Sequence, residues 1–113
     1  MEARLKTHIQ VQALVRRCDL LAIGVVVTAR GDPDAGTILL KLYDRANGTT
    51  VLTQTRRADG VLAWMRATGA VPVDESAADA YIARQRQYDS DLWVIEIETA
   101  APETVLDIGI IDE

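Results

Sequence analysis

The 113-residue sequence predicts an α+β domain in the order α-β-β-β-α-α-β: a three-stranded antiparallel meander, a fourth strand, and helices packed on one face. Three observations predict it. Apolar residues recur at helical spacing after Thr7 and after Ser76, an Asn-Gly pair separates two strand-like runs, and Leu92 to Glu98 alternates apolar with acidic residues.

Thr7-His8-Ile9-Gln10 has the form of a capping box, and Val11, Leu14, Val15, Cys18 and Leu21 follow at helical spacing, predicting a helix from His8 to Leu20. His8, Gln12, Arg16 and Asp19 make its wet face. Cys18 falls on the buried stripe, where a thiol packs as a small hydrophobe rather than acting as a nucleophile.

Ile23 to Ala29 is valine-rich and apolar on both sides, which predicts a buried strand, and Ile38 to Tyr43 predicts a second. Between them Asp32-Pro33-Asp34, bracketed by Gly31 and Gly36, is turn chemistry, so the two strands are expected to form a hairpin. Asn47-Gly48 predicts a type I′ hairpin into Thr49 to Thr55, whose polar positions place that third strand near an edge.

Asp59 can cap a short helix with Val61, Leu62, Trp64, Met65 and Thr68 on its apolar side and Gly69 as its stop. Ser76-x-x-Asp79 is a second capping box, opening a helix to about Gln87 with Ala78, Tyr81, Ile82 and Gln85 inward. In Leu92 to Glu98, Trp93, Ile95 and Ile97 face the core while Glu96 and Glu98 face water. The tail over 102–113 is apolar without an evident partner. It is expected to add an edge strand, to pair with a second subunit as a homodimer, or to fray.

With 49% hydrophobic and 26% charged residues the composition is that of an ordinary folded chain, and one domain is expected over 1–113. A net charge of -5 argues against nucleic acid and anionic membranes, where attraction is mainly electrostatic. One cysteine and one histidine exclude a disulfide within the chain, a thiolate zinc cluster and a Cys-x-x-Cys redox centre. Met1 to His8 is polar and the longest apolar stretch, Leu20 to Val27, is too short to cross a bilayer, so the expected location is cytoplasmic.

Chemistry-bearing residues gather in two loops. Asp32/Asp34 and Asp89/Asp91 are Asp-x-Asp pairs, which can share a Mg²⁺ or Ca²⁺, although neither loop has the further ligands of a calcium-binding loop. Arg30 and Lys41 flank the first pair, and Arg84 and Arg86 precede the second. Together Arg30, Asp32, Asp34, Lys41, Arg84, Arg86, Asp89 and Asp91 form the candidate binding surface, with the four aspartates as the candidate metal ligands. No catalytic constellation and no cofactor motif is present. The expected function is therefore a non-enzymatic accessory or interaction domain with a protein partner. The alternative is a divalent-metal-dependent enzyme on a phosphate-bearing or nucleic-acid substrate, which requires both loops at one end of the sheet.

At "RRCDLLAIGVVVTARGDPDAGTILLKL" and "DAYIARQRQYDSDLWVIEIE" the chain resembles a family of small proteins, found chiefly in alphaproteobacteria and catalogued as a domain of unknown function. The resemblance runs to Glu98. It rests on Arg30, Gly31, Asp32, Asp34, Gly36 and Lys41, then on Arg84, Arg86, Asp89, Asp91, Trp93 and Glu96. It implies no activity, and it departs at Ser90, where proline is usual for the family.

Overall fold

The computed structural model describes residues 5–106 and 109–111. Its order is α1 (Thr7–Leu20), β1 (Val25–Ala29), β2 (Ile38–Asp44), β3 (Gly48–Arg56), β4 (Leu62–Arg66), α2 (Glu75–Tyr88), β5 (Trp93–Glu98), a short 3₁₀ turn (Pro102–Thr104) and β6 (Ile110–Ile111). The strands form one mixed sheet in the order β1-β5-β2-β3-β4-β6. The α+β class predicted from the sequence is the class observed.

Strands β2, β3 and β4 make an antiparallel meander, after which α2 crosses the sheet and delivers β5 between β1 and β2. There β5 runs parallel to β2, Leu40 opposite Ile95, and antiparallel to β1, Val27 opposite Ile95. Because side chains alternate across a strand, the central strands are buried on both faces. Leu40, Leu42, Leu52, Ile95 and Ile97 pack under Val11 and Cys18 of α1. Leu39, Val51 and Val94 pack under Ala78 and Ile82 of α2. The helices therefore cover opposite faces, not one.

Four further expectations are corrected. Residues 59–68 contain strand β4 rather than a helix. Asp59-Gly60 is itself a hairpin dipeptide: Gly60 has φ of 85°, the Arg57 amide donates to the Val61 carbonyl at 2.8 Å, and the Asp59 carboxylate accepts from the Val61 amide. Consequently β3 lies inside the sheet, and Val51 and Leu52 are fully buried. The β1–β2 hairpin does not form, since β5 separates the two strands. This leaves β1 at an edge with Val26 57% exposed, instead of a strand buried on both faces.

The turn at Asn47-Gly48 does reverse the chain, but as the three-residue loop Arg45-Ala46-Asn47. Asp44 pairs with Gly48, which has φ of 112°, and the Asp44 carboxylate accepts from the Ala46 amide and the Asn47 side-chain amide.

Neither capping box forms as spaced. The N-cap of α2 is Asp74, whose carboxylate accepts from the Ala77 amide at 2.8 Å and the Ser76 hydroxyl at 2.9 Å. At α1 the first-turn amides of Thr7 and His8 donate to the carbonyls of Asp34 and Pro33 at 3.2 and 2.9 Å, and the Thr7 hydroxyl donates to the Gly36 carbonyl at 2.8 Å. The Asp32-Pro33-Asp34 turn thus supplies the cap of α1 from a distance in sequence.

In the tail, Val105 is 1% exposed, and Ile110 and Ile111 pair in parallel with Trp64 and Met65 of β4. Residues 107, 108, 112 and 113, also part of the expected edge strand, lie outside the described residues. No helix among the described residues is long and apolar enough to cross a membrane.

Candidate functional site

The two aspartate loops meet at one end of the sheet. The Asp32 amide donates to the Asp91 carbonyl at 3.0 Å, and the Asp32 carbonyl accepts from the Trp93 indole at 2.7 Å. Gly31 and Gly36 are required by this crossing: a β-carbon at either position would fall on the Asp91 carbonyl oxygen, well inside contact distance.

Meeting does not make the carboxylates converge. The Asp32 carboxylate accepts from the amides of Asp34 and Ala35 at 3.1 and 2.8 Å, and that of Asp89 accepts from the Asp91 amide at 2.9 Å. Asp34 faces the Lys6 ammonium at 3.8 Å. These are the local bonds of turn-forming aspartates. Among the described residues no three His, Cys, Asp or Glu side chains are placed to hold one metal ion. Arg84 and Arg86 stand exposed on the last turns of α2 and form no ion pair with Asp32 or Asp91 among the described residues.

Lys41 belongs elsewhere. It projects from β2 toward α2, 7% exposed, with its ammonium 2.8 Å from Glu75, 2.8 Å from Asp79 and 3.3 Å from Glu96. Burial alone would lower its pKa. The hydrogen bonds to Asp79 and Glu75 and the charge of Glu96 outweigh burial and hold it above the ordinary lysine range. Lys41 is a fastening between α2 and the sheet.

Of the candidate residues, Arg30 lines a cleft. Its guanidinium lies 5.4 Å from the centroid of the Trp93 ring, a cation–π distance, while the bond to Asp32 fixes that ring in place. The cleft is a groove of about 390 Å³ between α1 and β1. One wall is a continuous face of α1, where His8, Gln12, Arg16 and Asp19 alternate with Val11 and Val15 at helical spacing; the other is Val27 and Arg30, and Trp93 contributes at one end. The imidazole Nδ1 of His8 lies 3.0 Å from the Pro33 carbonyl. Arg16 has no ion pair among the described residues.

Sequence reasoning identified the polar residues of this wall as the wet face of α1. It missed that they face a groove, because the opposite wall comes from residues 27 and 30 and one end from residue 93. Cys18 is fully buried, and its thiol is pushed up by burial first and by Asp19 second, against the opposing effect of Arg17. It is inert packing, as its spacing predicted.

The chain resembles known proteins over its whole architecture. No curated protein matches it. Among solved structures, a DUF1491 family protein from Caulobacter crescentus CB15 matches in its crystal structure with 32% identity and a TM-score of 0.84, over 96% of this chain and 100% of that one. The NMR structure of a DUF1491 family protein from the same organism matches with 32% identity and a TM-score of 0.83, over 98% and 100%. Protein Atu0922 from A. tumefaciens matches in its solution structure with 26% identity and a TM-score of 0.80, over 98% of both chains. A family model described as "Protein of unknown function (DUF1491)" matches residues 5–107, past the limit at Glu98 that the sequence motifs indicate. With its loops, helices and mixed sheet matched over that length, the chain belongs to the DUF1491 family.

Proposed function

We propose that this protein is a binding module rather than an enzyme, and that it holds a protein partner in the groove between α1 and β1. The observation that carries this reading is the composition of the groove. Valine side chains and Trp93 give it apolar surface, and Arg16 and Arg30 stand on it without carboxylate partners among the described residues. Convergent polar groups over an apolar cleft are the common form of a recognition site. Loops and edges positioned by a rigid sheet are where such sites tend to sit. A cytoplasmic setting accords with an unpaired, buried Cys18.

The metal-dependent alternative asked that both loops share one end of the sheet, which they do. The carboxylates of Asp32 and Asp89 are nevertheless engaged by local amides and that of Asp34 faces Lys6, so the groove is the better-supported site.

A photo-crosslinking residue at Gln12, in the groove, and another at Arg84, on α2, test the reading in cells. The expected outcome is a discrete protein adduct from position 12 that disappears in an Arg16→Glu/Arg30→Glu background and has no counterpart from position 84. Equal adducts from both positions would overturn it. So would turnover in a broad substrate screen that the same double substitution abolishes.

A further inference from the structure

Strand β1 is an open edge of the sheet, and its ladder to β5 identifies which of its backbone groups are free. The Glu98 amide donates to the Gly24 carbonyl at 3.0 Å, and the register continues with Val25 opposite Ile97, Val26 opposite Glu96 and Val27 opposite Ile95. Bonded and non-bonded pairs alternate along an antiparallel ladder. Val26 therefore bonds inward to β5, while the amides and carbonyls of Val25 and Val27 point outward along the edge. Among the described residues no backbone hydrogen bond reaches them from that side.

This edge is also a wall of the groove. A strand laid along β1 would send every second side chain toward α1, over Val15 and Val27 and between Arg16 and Arg30. Those two arginines lack carboxylate partners among the described residues, in a chain whose net charge is -5. A second copy paired edge to edge through β1 does not supply the missing charge, because that edge, from Ile23 to Gly31, carries Arg30 and no carboxylate.

We infer that β1 receives an extended acidic segment of another protein as an added strand. Main-chain bonds to Val25 and Val27 hold the segment, and its alternate apolar and carboxylate side chains enter the groove against Val15 and Val27, Arg16 and Arg30. This is strand addition to a sheet edge with charge setting the specificity. It rests on the binding-module reading and names the partner's chemistry.

The test titrates the full chain, observed by amide NMR, with a synthetic peptide alternating glutamate and valine. Controls are a lysine–valine peptide, a glutamate–valine peptide N-methylated at alternate residues, and a small dicarboxylate. The inference expects slowed exchange of the Val25 and Val27 amides with the acidic peptide alone. It also expects affinity to fall roughly tenfold or more in Arg16→Glu, and again in Arg16→Glu/Arg30→Glu, with both variants folded by circular dichroism. Equal binding of the N-methylated or lysine–valine peptide would overturn it, as would a dicarboxylate that binds as tightly as the peptide. If no peptide binds while the Gln12 adduct persists, strand addition falls and the groove remains a site for a folded partner. Loss of both results removes the binding-module reading as well.

Discussion

The indole Nε1–H of Trp93 donates to the carbonyl oxygen of Asp32 at 2.7 Å, joining the first residue of β5 to the loop that precedes β2. The same carbonyl accepts from the Gly36 amide at 3.2 Å, so one peptide oxygen organises the loop and orients the ring beneath Arg30. Trp93→Phe removes the donor and leaves a void where the indole was. It should lower unfolding free energy by about 2–3 kcal/mol, of which about 1 kcal/mol is the hydrogen bond. Urea titration measures this, and a loss below about 0.5 kcal/mol would show the bond to be incidental.

The crossing of the two loops makes a second prediction. Gly31→Ala and Gly36→Ala each drive a methyl group into the Asp91 backbone and should cost about 2 kcal/mol or more. Gly24→Ala, where nothing stands within 4 Å, is the control and should stay within about 0.5 kcal/mol. Equal effects at all three positions would contradict the crossing.

Lys41 predicts an alkaline signature. Its folded-state pKa lies above that of an unfolded chain, about 10.4. Its contribution is therefore complete below that pH and is lost as pH rises through the folded value. Lys41→Met leaves Glu75, Asp79 and Glu96 without their shared cation and should cost about 1–3 kcal/mol at neutral pH. Denaturant midpoints taken across alkaline pH should decline less steeply in the variant than in the parent. Parallel declines would remove Lys41 from the account.

For α2 the competing caps can be separated directly. Asp74→Ala should lower the thermal midpoint more than Ser76→Ala, because Asp74 accepts the helix amide. The Asp74 carboxyl is held below the usual carboxylate range by the Ala77 amide first and the Ser76 hydroxyl second. The stability it contributes is thus present above an unfolded value of about 3.9 and is lost as pH falls through the folded value. A calorimetric series into the acid range should find the Asp74→Ala protein less sensitive there. A larger effect from Ser76→Ala would reinstate the capping box that the spacing suggested.

The tail predicts its own importance. A chain ending at Ala101 loses buried Val105, the bond from the Arg17 guanidinium to the Val105 carbonyl and the strand that covers β4. Burial of one such side chain contributes about 1.5–3 kcal/mol. The shortened protein should be destabilised by at least about 2 kcal/mol, measured by chemical denaturation. An unchanged midpoint would make the tail an ornament.

What could be read from the sequence was what neighbours in the chain decide. Helix α1, helix α2 and the turn before Gly48 were each announced by residues within a few positions of one another. Strand β4 is ambiguous in sequence because Trp64 and Met65 satisfy a short helical stripe as well as a strand, while Asp59-Gly60, the deciding signal, has the form of a helix cap as well as of a hairpin turn. The β1–β2 separation was not legible, because its cause lies sixty residues downstream in β5. The candidate site divided in the same way. Arg30 and the Asp-x-Asp loops were found as local clusters of charge, whereas Arg16 gained meaning only once α1 lay beside β1.

The last long strand of this domain in chain order occupies an inner place in the sheet. Until Trp93 to Glu98 is available, β1 has no neighbour to pair with and β2 has only one, so both faces of the core must wait for it. Closing them requires contacts between residues about seventy positions apart, the kind of long-range pairing that slows folding and leaves strand edges open meanwhile. During synthesis the nascent chain therefore carries its valine-rich segment unpaired, and its order arrives late and all at once.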